Sequence, residues 1–397
     1  MITFLHQLYR QFPKKLSRLN MPLIAVSILL LIIGVVFIHS AGEQTGGVIA
    51  GFWKKQLLWI CVGTVLMLVL ACSDYEVLGK FSLVIFLILH ALLLLVFTPF
   101  GLEVHGARSW IQLPGATLQP SEFAKIGFII PLAWYASFKH TDFKKLSHVC
   151  IVLALTAIPI CLIMLQPDMG SAMVFVPIAI AVLFLGGLRK RIIILAIVSA
   201  MIAGPLLFKY TLRTHQKERV LILIKPNLPK DAYMKIYSFS GLDVKSYKNG
   251  KIDDWNALQS LLAVGSGGVW GKGIGNGTQN ALGFLPKKVA PTDFIFSVIA
   301  EEAGFAGSFV LIILFAILLF LAIYIAAKAR DEFGKYLATA IAALYCTHIF
   351  INIGMTIQLM PIIGIPLPFV SYGGSVMIMT LSSVGILQSI YIHRHKQ

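Results

Sequence analysis

The 397-residue sequence predicts an all-α polytopic membrane protein of about ten transmembrane helices. Both termini are expected in the cytoplasm, with one large extracytoplasmic loop between the seventh and eighth helices. Three observations carry this. The chain is 58% hydrophobic and 13% charged, where a soluble domain carries about a quarter charged residues. Uncharged runs of Leu, Ile, Val and Phe reach the roughly 20 residues that a helix needs to cross a bilayer. The Lys and Arg residues of the short connections gather on one face, which fixes the orientation.

The runs lie near Met21–Ala41, Gln56–Cys72, Phe81–Gly101, Phe123–Phe138 and Val149–Leu165, then near Ser171–Leu188, Ile192–Phe208, Phe294–Ala327, Leu337–Ile357 and Gly374–Ile392. The first is too long for the apolar region of a cleavable leader, and no small-x-small site follows it, so it reads as a span. The eighth is long enough to tilt or to begin outside the hydrocarbon. Arg10, Lys14, Lys15 and Arg18 precede the first run, in a tail over residues 1–20. Lys139, Lys144 and Lys145 fall on the same face, as do Arg189, Lys190 and Arg191. Lys328, Arg330, Lys335, Arg394 and Lys396 complete that face, while the opposite short loops carry Lys54, Lys55 and Arg108. The short-loop rule places the richer face in the cytoplasm. The whole chain reads as one transmembrane domain, without internal repeats.

The connection over residues 209–292 is the large outer element. It holds thirteen Lys or Arg against five acids, Glu218, Asp231, Asp243, Asp253 and Asp254. Loops this long escape the orientation rule. The excess is either a solvated surface near anionic headgroups or an attractor for an anionic, membrane-borne substrate. The five cysteines, Cys61, Cys72, Cys150, Cys161 and Cys346, lie in or beside apolar runs with no CxxC pair. They read as small buried hydrophobes, which excludes a disulfide scaffold or a cysteine metal site.

Ionisable groups at membrane depth cost about 2.5–3.5 kcal/mol or more each, so each is a candidate functional group. Three acids stand at the outer starts of three runs, in Gln119-Pro120-Ser121-Glu122, Gln166-Pro167-Asp168 and Pro291-Thr292-Asp293. A proline in the first turn followed by an acid is an ordinary helix start. Three on one membrane face beside a basic loop point to a shared polar cleft. Glu122 and Lys125 are three apart on a helix, suited to a structural pair or to a substrate contact. Arg108 has a fork that matches phosphate oxygens. The glycine-rich stretch from Gly265 to Gly277, which contains Lys272, fits neither dinucleotide nor P-loop spacing. It reads as a flexible or close-packed loop beside the site, and neither nucleotide nor nucleic acid is expected as a partner. Glu301 and Glu302 should face protein or water. The segment Pro366-Leu367-Pro368-Phe369-Val370-Ser371-Tyr372-Gly373-Gly374-Ser375 is non-helical at the mouth of the last run, which requires burial in protein or a cavity.

Taken together and in order, Gly106-Ala107-Arg108-Ser109-Trp110, QPSEFAK (119–125), QPDMGSAM (166–173), the glycine-rich loop, PTDFIFSVIAEEAGFAG (291–307) and IPLPFVSYGGS (365–375) resemble the SEDS family of shape, elongation, division and sporulation proteins. The wording after the glycine-rich loop is nearer the RodA branch than the FtsW branch. The resemblance implies a peptidoglycan glycosyltransferase of the bacterial cytoplasmic (inner) membrane. Such an enzyme polymerises lipid II on the outer face for cell elongation and shape. It would work with a class B penicillin-binding transpeptidase and other elongation-complex membrane proteins. It implies Asp293 as the catalytic residue, with Arg108, Glu122, Lys125, Lys272 and Ser371 as substrate-binding candidates. A divalent cation, Mg or Mn, could serve beside the diphosphate with Asp168 or Glu122 as its ligand, although the residues themselves spell out no metal site. The family commonly has His where Pro291 stands, and the loop around Lys230–Asp254 is longer than usual. At a helix start the Asp293 carboxyl is expected to be lowered in pKa, with partial burial as the offset. The rival readings are a flippase or other transporter with polar residues at broken spans, the division branch of the same family, and a non-catalytic scaffold for the transpeptidase, which would leave the three acids without a purpose.

Overall fold

A computed structural model describes residues 17–45, 47–104, 107–113, 116–225, 228–242, 255–286 and 289–395. Arg10, Lys14, Lys15, Gly106, Asp243, Asp253, Asp254 and Lys396 lie outside the described residues, as does the loop extension beyond Leu242. The membrane-spanning character follows from helix length and apolarity. Among the described residues six helical segments are long and apolar enough to cross a bilayer: Met21–Gln44, Ile49–Cys72, Leu146–Leu165, Ile295–Ala327, Glu332–Thr356 and Gly374–Ile392. Ser82–Leu95 and Met169–Leu185 are shorter apolar stretches.

In chain order, α1 spans Met21–Thr45, α2 Phe52–Cys72, α3 Tyr75–Lys80 and α4 Ser82–Leu95. Three strands follow, β1 Gly101–Val104, β2 Ala107–Leu113 and β3 Ala116–Leu118. Next come α5 Pro120–Ala136, α6 Leu146–Leu165, α7 Met169–Met173, α8 Phe175–Leu185 and α9 Lys190–Tyr210. The connection over residues 209–292 contains α10 Thr214–Ile224, α11 Lys230–Phe239, α12 Trp255–Ser266 and α13 Thr278–Ala281. The long α14 Ile295–Ala327, α15 Glu332–Thr356 and α16 Gly374–Ile392 end the chain.

Side-chain caps start several of these helices. The Asn20 Oδ1 accepts from the Leu23 amide at 3.0 Å, and the Asp331 Oδ1 accepts from the Gly334 amide at 2.7 Å. Pro120 stands in the first turn of α5, where its missing N–H costs nothing. The apolar core gathers around α5, α8, α14, α15 and α16, with Phe128, Phe175, Phe315, Leu344 and Met377 fully buried. Around that centre the outward faces of α2, α4, α6 and α9 present Val65, Leu83, Leu153 and Met201. Exposed apolar rows on helices this long are what a hydrocarbon solvent demands.

The structure corrects two expectations. It is not all-α, because β1, β2 and β3 form an antiparallel meander ahead of α5. The physical signal is a period of two in β2: Ser109 and Ile111 are buried while Arg108 and Trp110 are half-buried and Gln112 is exposed. The cysteines are free, but only Cys72 is buried; Cys61, Cys150, Cys161 and Cys346 face outward. An apolar thiol has no reason to hide where the surroundings are themselves apolar.

Candidate functional site

Asp293 stands in a turn before α14, with its amide bonded to the Val289 carbonyl at 3.0 Å. The turn is held by the irregular crossover between α15 and α16. The Tyr372 amide donates to the Pro291 carbonyl at 2.9 Å, and the Ser371 hydroxyl donates to the Thr292 carbonyl at 2.5 Å. The Asn352 side-chain amide donates to the Asp293 carbonyl at 3.0 Å and to the Ile365 carbonyl at 2.7 Å. One nitrogen on α15 therefore fixes both the acid-bearing turn and the crossover. Gly364 adopts φ 72°, and a Cβ there would stand 3.2 Å from the Asp293 Oδ2, so the carboxylate rests against a backbone that only glycine supplies without strain.

Asp168 caps α7. Its Oδ1 accepts from the Ser171 amide at 3.0 Å, and its Oδ2 accepts from the Ser171 hydroxyl at 2.8 Å and the Gln119 side-chain amide at 3.2 Å. Gln119 also donates its backbone amide to the Ser375 hydroxyl at 2.8 Å. Crossover, α5 and α7 thus meet. A Cβ at Gly170 would lie 2.4 Å from the Ile363 carbonyl oxygen, so α7 packs directly on the segment that backs Asp293.

A cation that the sequence reading did not single out completes the group. Arg219, on α10, interacts electrostatically with both Asp293 and Asp168. It lines a cavity with Ile222, Asn256, Met355, Gln358 and Met360. Burial pushes the Asp293 carboxyl up to about 7, Arg219 draws it down and Asp168 pushes it up. The depressed value expected from a helix start does not occur, because loss of water outweighs the partial charge of the helix end.

The other sequence candidates are distributed around this group. The Lys125 ammonium donates to the Glu122 Oε1 at 2.6 Å, with both side chains 1% exposed. It also meets the His348 Nε2 at 3.0 Å, and the His348 Nδ1 lies 3.1 Å from the Pro366 carbonyl. Nδ1 is the donor to that carbonyl, so Nε2 is the acceptor from Lys125. Ser371 is buried, and its hydroxyl also accepts the Leu367 amide at 2.8 Å. Arg108, on β2, donates to the Thr98 carbonyl at 2.7 Å and the Gly101 carbonyl at 3.3 Å.

Lys272 donates to the Glu301 Oε1 at 2.6 Å and the Thr278 hydroxyl at 2.7 Å. Glu301 further accepts the Thr278 and Gln279 amides at 2.8 and 3.0 Å. Glu302 accepts from Ser40 and Gln44 at 2.7 and 2.6 Å. The glycine-rich loop is therefore close-packed on α14 at Gly267, Gly271 and Gly277, while Gly265, Gly268 and Gly275 stay open. A Cβ at Gly271, φ 80°, would stand 2.1 Å from the Glu302 carbonyl oxygen, at the Gly304 kink of α14.

The arrangement brings a proton acceptor and a second acid into the field of one cation, Arg219, which itself lines the cavity. Comparison with known proteins identifies the frame that carries them. Residues 20–396 match the model of the cell cycle protein family of FtsW, RodA and SpoVE. The chain is 34% identical over 379 residues to the peptidoglycan glycosyltransferase MrdB of Escherichia coli (strain K12), covering 95% of this chain and 94% of that protein. It is also 34% identical over 389 residues to a probable peptidoglycan glycosyltransferase FtsW of Trichlorobacter lovleyi, at 95% and 94% coverage. A chain of a peptidoglycan synthase complex that coordinates polymerization and crosslinking shares the fold, with a TM-score of 0.77, 24% identity, and coverage of 96% of this chain and 99% of that one. The chain therefore belongs to the FtsW/RodA/SpoVE family, the SEDS proteins that its ordered motifs resemble.

Proposed function

We propose that this chain is a peptidoglycan glycosyltransferase that polymerises lipid II at the outer face of the bacterial cytoplasmic membrane, in the service of elongation and shape. The observation that carries the reading is Asp293: a half-buried carboxyl near pKa 7, in the field of Arg219 and Asp168. Ten spans with both termini in the cytoplasm place this group outside, where the lipid-linked sugar is displayed.

In the reaction the C4 hydroxyl of an acceptor sugar attacks the anomeric carbon of a donor. The new C–O bond forms as the bond to the lipid diphosphate breaks, and the hydroxyl proton passes to the Asp293 carboxylate. A base whose pKa lies near the working pH is well matched to this task, which contributes typically 10²–10⁴-fold. Arg219 stands where charge develops on the departing diphosphate. Arg108 adds positive charge to the outer surface, while the Lys272 charge is taken up by Glu301 and acts through the loop it fastens. Glu122, Lys125 and Ser371 bear on the substrate through the crossover that shapes the cavity.

Among the described residues no three His, Cys, Asp or Glu side chains are gathered as a metal cage. Mg²⁺ commonly takes only one or two carboxylates together with substrate phosphates. Asp168, with Asp293 in its field, fits that demand for Mg or Mn. A bound divalent cation would supply charge neutralisation at the diphosphate.

A class B penicillin-binding transpeptidase is the proposed partner, alongside other elongation-complex membrane proteins. The test uses the chain co-purified with that partner, supplied with lipid II and Mg²⁺ or Mn²⁺. Glycan polymer is expected, and Asp293→Ala should abolish it while the protein stays folded. Polymer from the variant refutes the assignment of the base, and lipid translocation without polymer favours a flippase.

A further inference from the structure

Toward the end of α14 remote from Asp293, well past the Gly304 kink, lies a second cavity. It is lined by Asn20 and Met21 at the start of α1, Phe320, Leu321 and Tyr324 near the end of α14, and Tyr391 in the last turn of α16. None of its lining residues is acidic. Two cations stand over its two tyrosines. The Arg394 guanidinium lies 3.5 Å from the Tyr391 ring centroid and donates to the Tyr391 carbonyl at 2.6 Å. The Lys328 ammonium lies 5.9 Å from the Tyr324 ring centroid. Arg18, exposed, is next to the Leu19 edge. By contrast the neighbouring Arg330 is neutralised by Glu76 and Asp331.

We infer that this cavity is a binding site for an anionic phospholipid, its phosphate held between Lys328 and Arg394 and an acyl chain lying on Met21, Phe320 and Leu321. Met21 and Phe320 are 63% and 66% exposed, so the apolar wall is open at the surface and within reach of an acyl chain. Tyrosines belong where chain meets headgroup, one side of the ring dry and the hydroxyl wet. Cations over their faces are held in place by the ring quadrupole and keep their remaining donors for an anion. A soluble anion would use the charges but leave the apolar wall unused; a zwitterionic lipid would use the wall but gain little from the charges. A phospholipid with net negative charge uses both.

The test is native mass spectrometry of the purified protein in a neutral detergent, offered dioleoyl-phosphatidylglycerol and dioleoyl-phosphatidylcholine in equal amounts. The wild type should retain phosphatidylglycerol preferentially, and millimolar inorganic phosphate should not displace it. Removing both cations with Lys328→Ala and Arg394→Ala should weaken phosphatidylglycerol retention by roughly 30-fold. The charge-keeping pair Lys328→Arg with Arg394→Lys should retain it, as should Lys144→Ala with Lys145→Ala away from the cavity. Equal retention of the two lipids by the wild type overturns the site. So does displacement by phosphate, an undiminished adduct in the double alanine variant, or equal loss in the alanine and charge-keeping pairs.

Discussion

The raised pKa of Asp293 makes polymerisation depend on pH in a way that an ordinary aspartate would not. With the carboxyl at about 7, about 9% is ionised at pH 6 and about 91% at pH 8, so a rate carried by the carboxylate climbs about tenfold across that interval. An aspartate near its usual value of about 3.9 would be ionised throughout and give a flat profile. The assay is initial polymer formation from lipid II by the co-purified complex between pH 5.5 and 8.5, at saturating substrate. Arg219→Gln gives the second arm. Arg219 draws the Asp293 pKa down, so its loss should move the midpoint of the rise to higher pH and lower the rate at pH 7. The sign for stability is opposite to that for activity. A folded-state pKa above the unfolded one contributes stability below the unfolded pKa and loses it as pH rises through 7. Asp293→Asn should therefore be inactive yet more stable than the wild type at pH 8. A flat wild-type profile, or a midpoint that falls in Arg219→Gln, refutes the reasoning.

Breaking the buried Glu122–Lys125 pair with Lys125→Met leaves an uncompensated carboxylate at 1% exposure and should cost about 3–5 kcal/mol. Thermal unfolding in detergent measures this, and Glu122→Leu added to it should recover most of the loss. Gly271→Ala meets the Glu302 carbonyl at a positive φ, whereas Gly265→Ala meets nothing within 4 Å. The first should lower folded yield by fluorescence-detected size exclusion, costing at least about 1 kcal/mol more than the second. Gly364→Ala crowds the Asp293 Oδ2 at 3.2 Å and should reduce kcat about 10²-fold with little change in KM, read in the same polymerisation assay.

Helix content and the position of Asp293 at a helix start were legible because both follow from local sequence: long apolar runs, and a proline–acid pair before one of them. The packing of the glycine-rich loop was half legible. Its spacing excluded a phosphate loop, but only the structure shows Glu301 and Glu302 receiving it. The β meander escaped because long apolar runs mark only the helices, while β2 is short and carries a period of two. Arg219 escaped for a different reason. It was one of thirteen Lys or Arg in a loop read as a collective field, and nothing local sets it apart from Arg213 or Lys217. What distinguishes it is which way α10 faces, and that depends on Leu221, Tyr233 and Tyr237 packing together. His348 and Asn352 likewise sit within an apolar helix, and their roles appear only once the crossover lies beside them.

The apolar side chains that seat α10 and α11 form a small cluster of their own, apart from the continuous core around α14, α15 and α16. Base and cation thus rest on separate foundations. Asp293 is anchored to the large core through its turn, whereas Arg219 rides on a minor one, with Asn352 pinning only the former. The distance between the two charges can consequently change without repacking the bundle, and a bulky sugar bearing a long polyprenyl tail can be accommodated by yielding on one side alone.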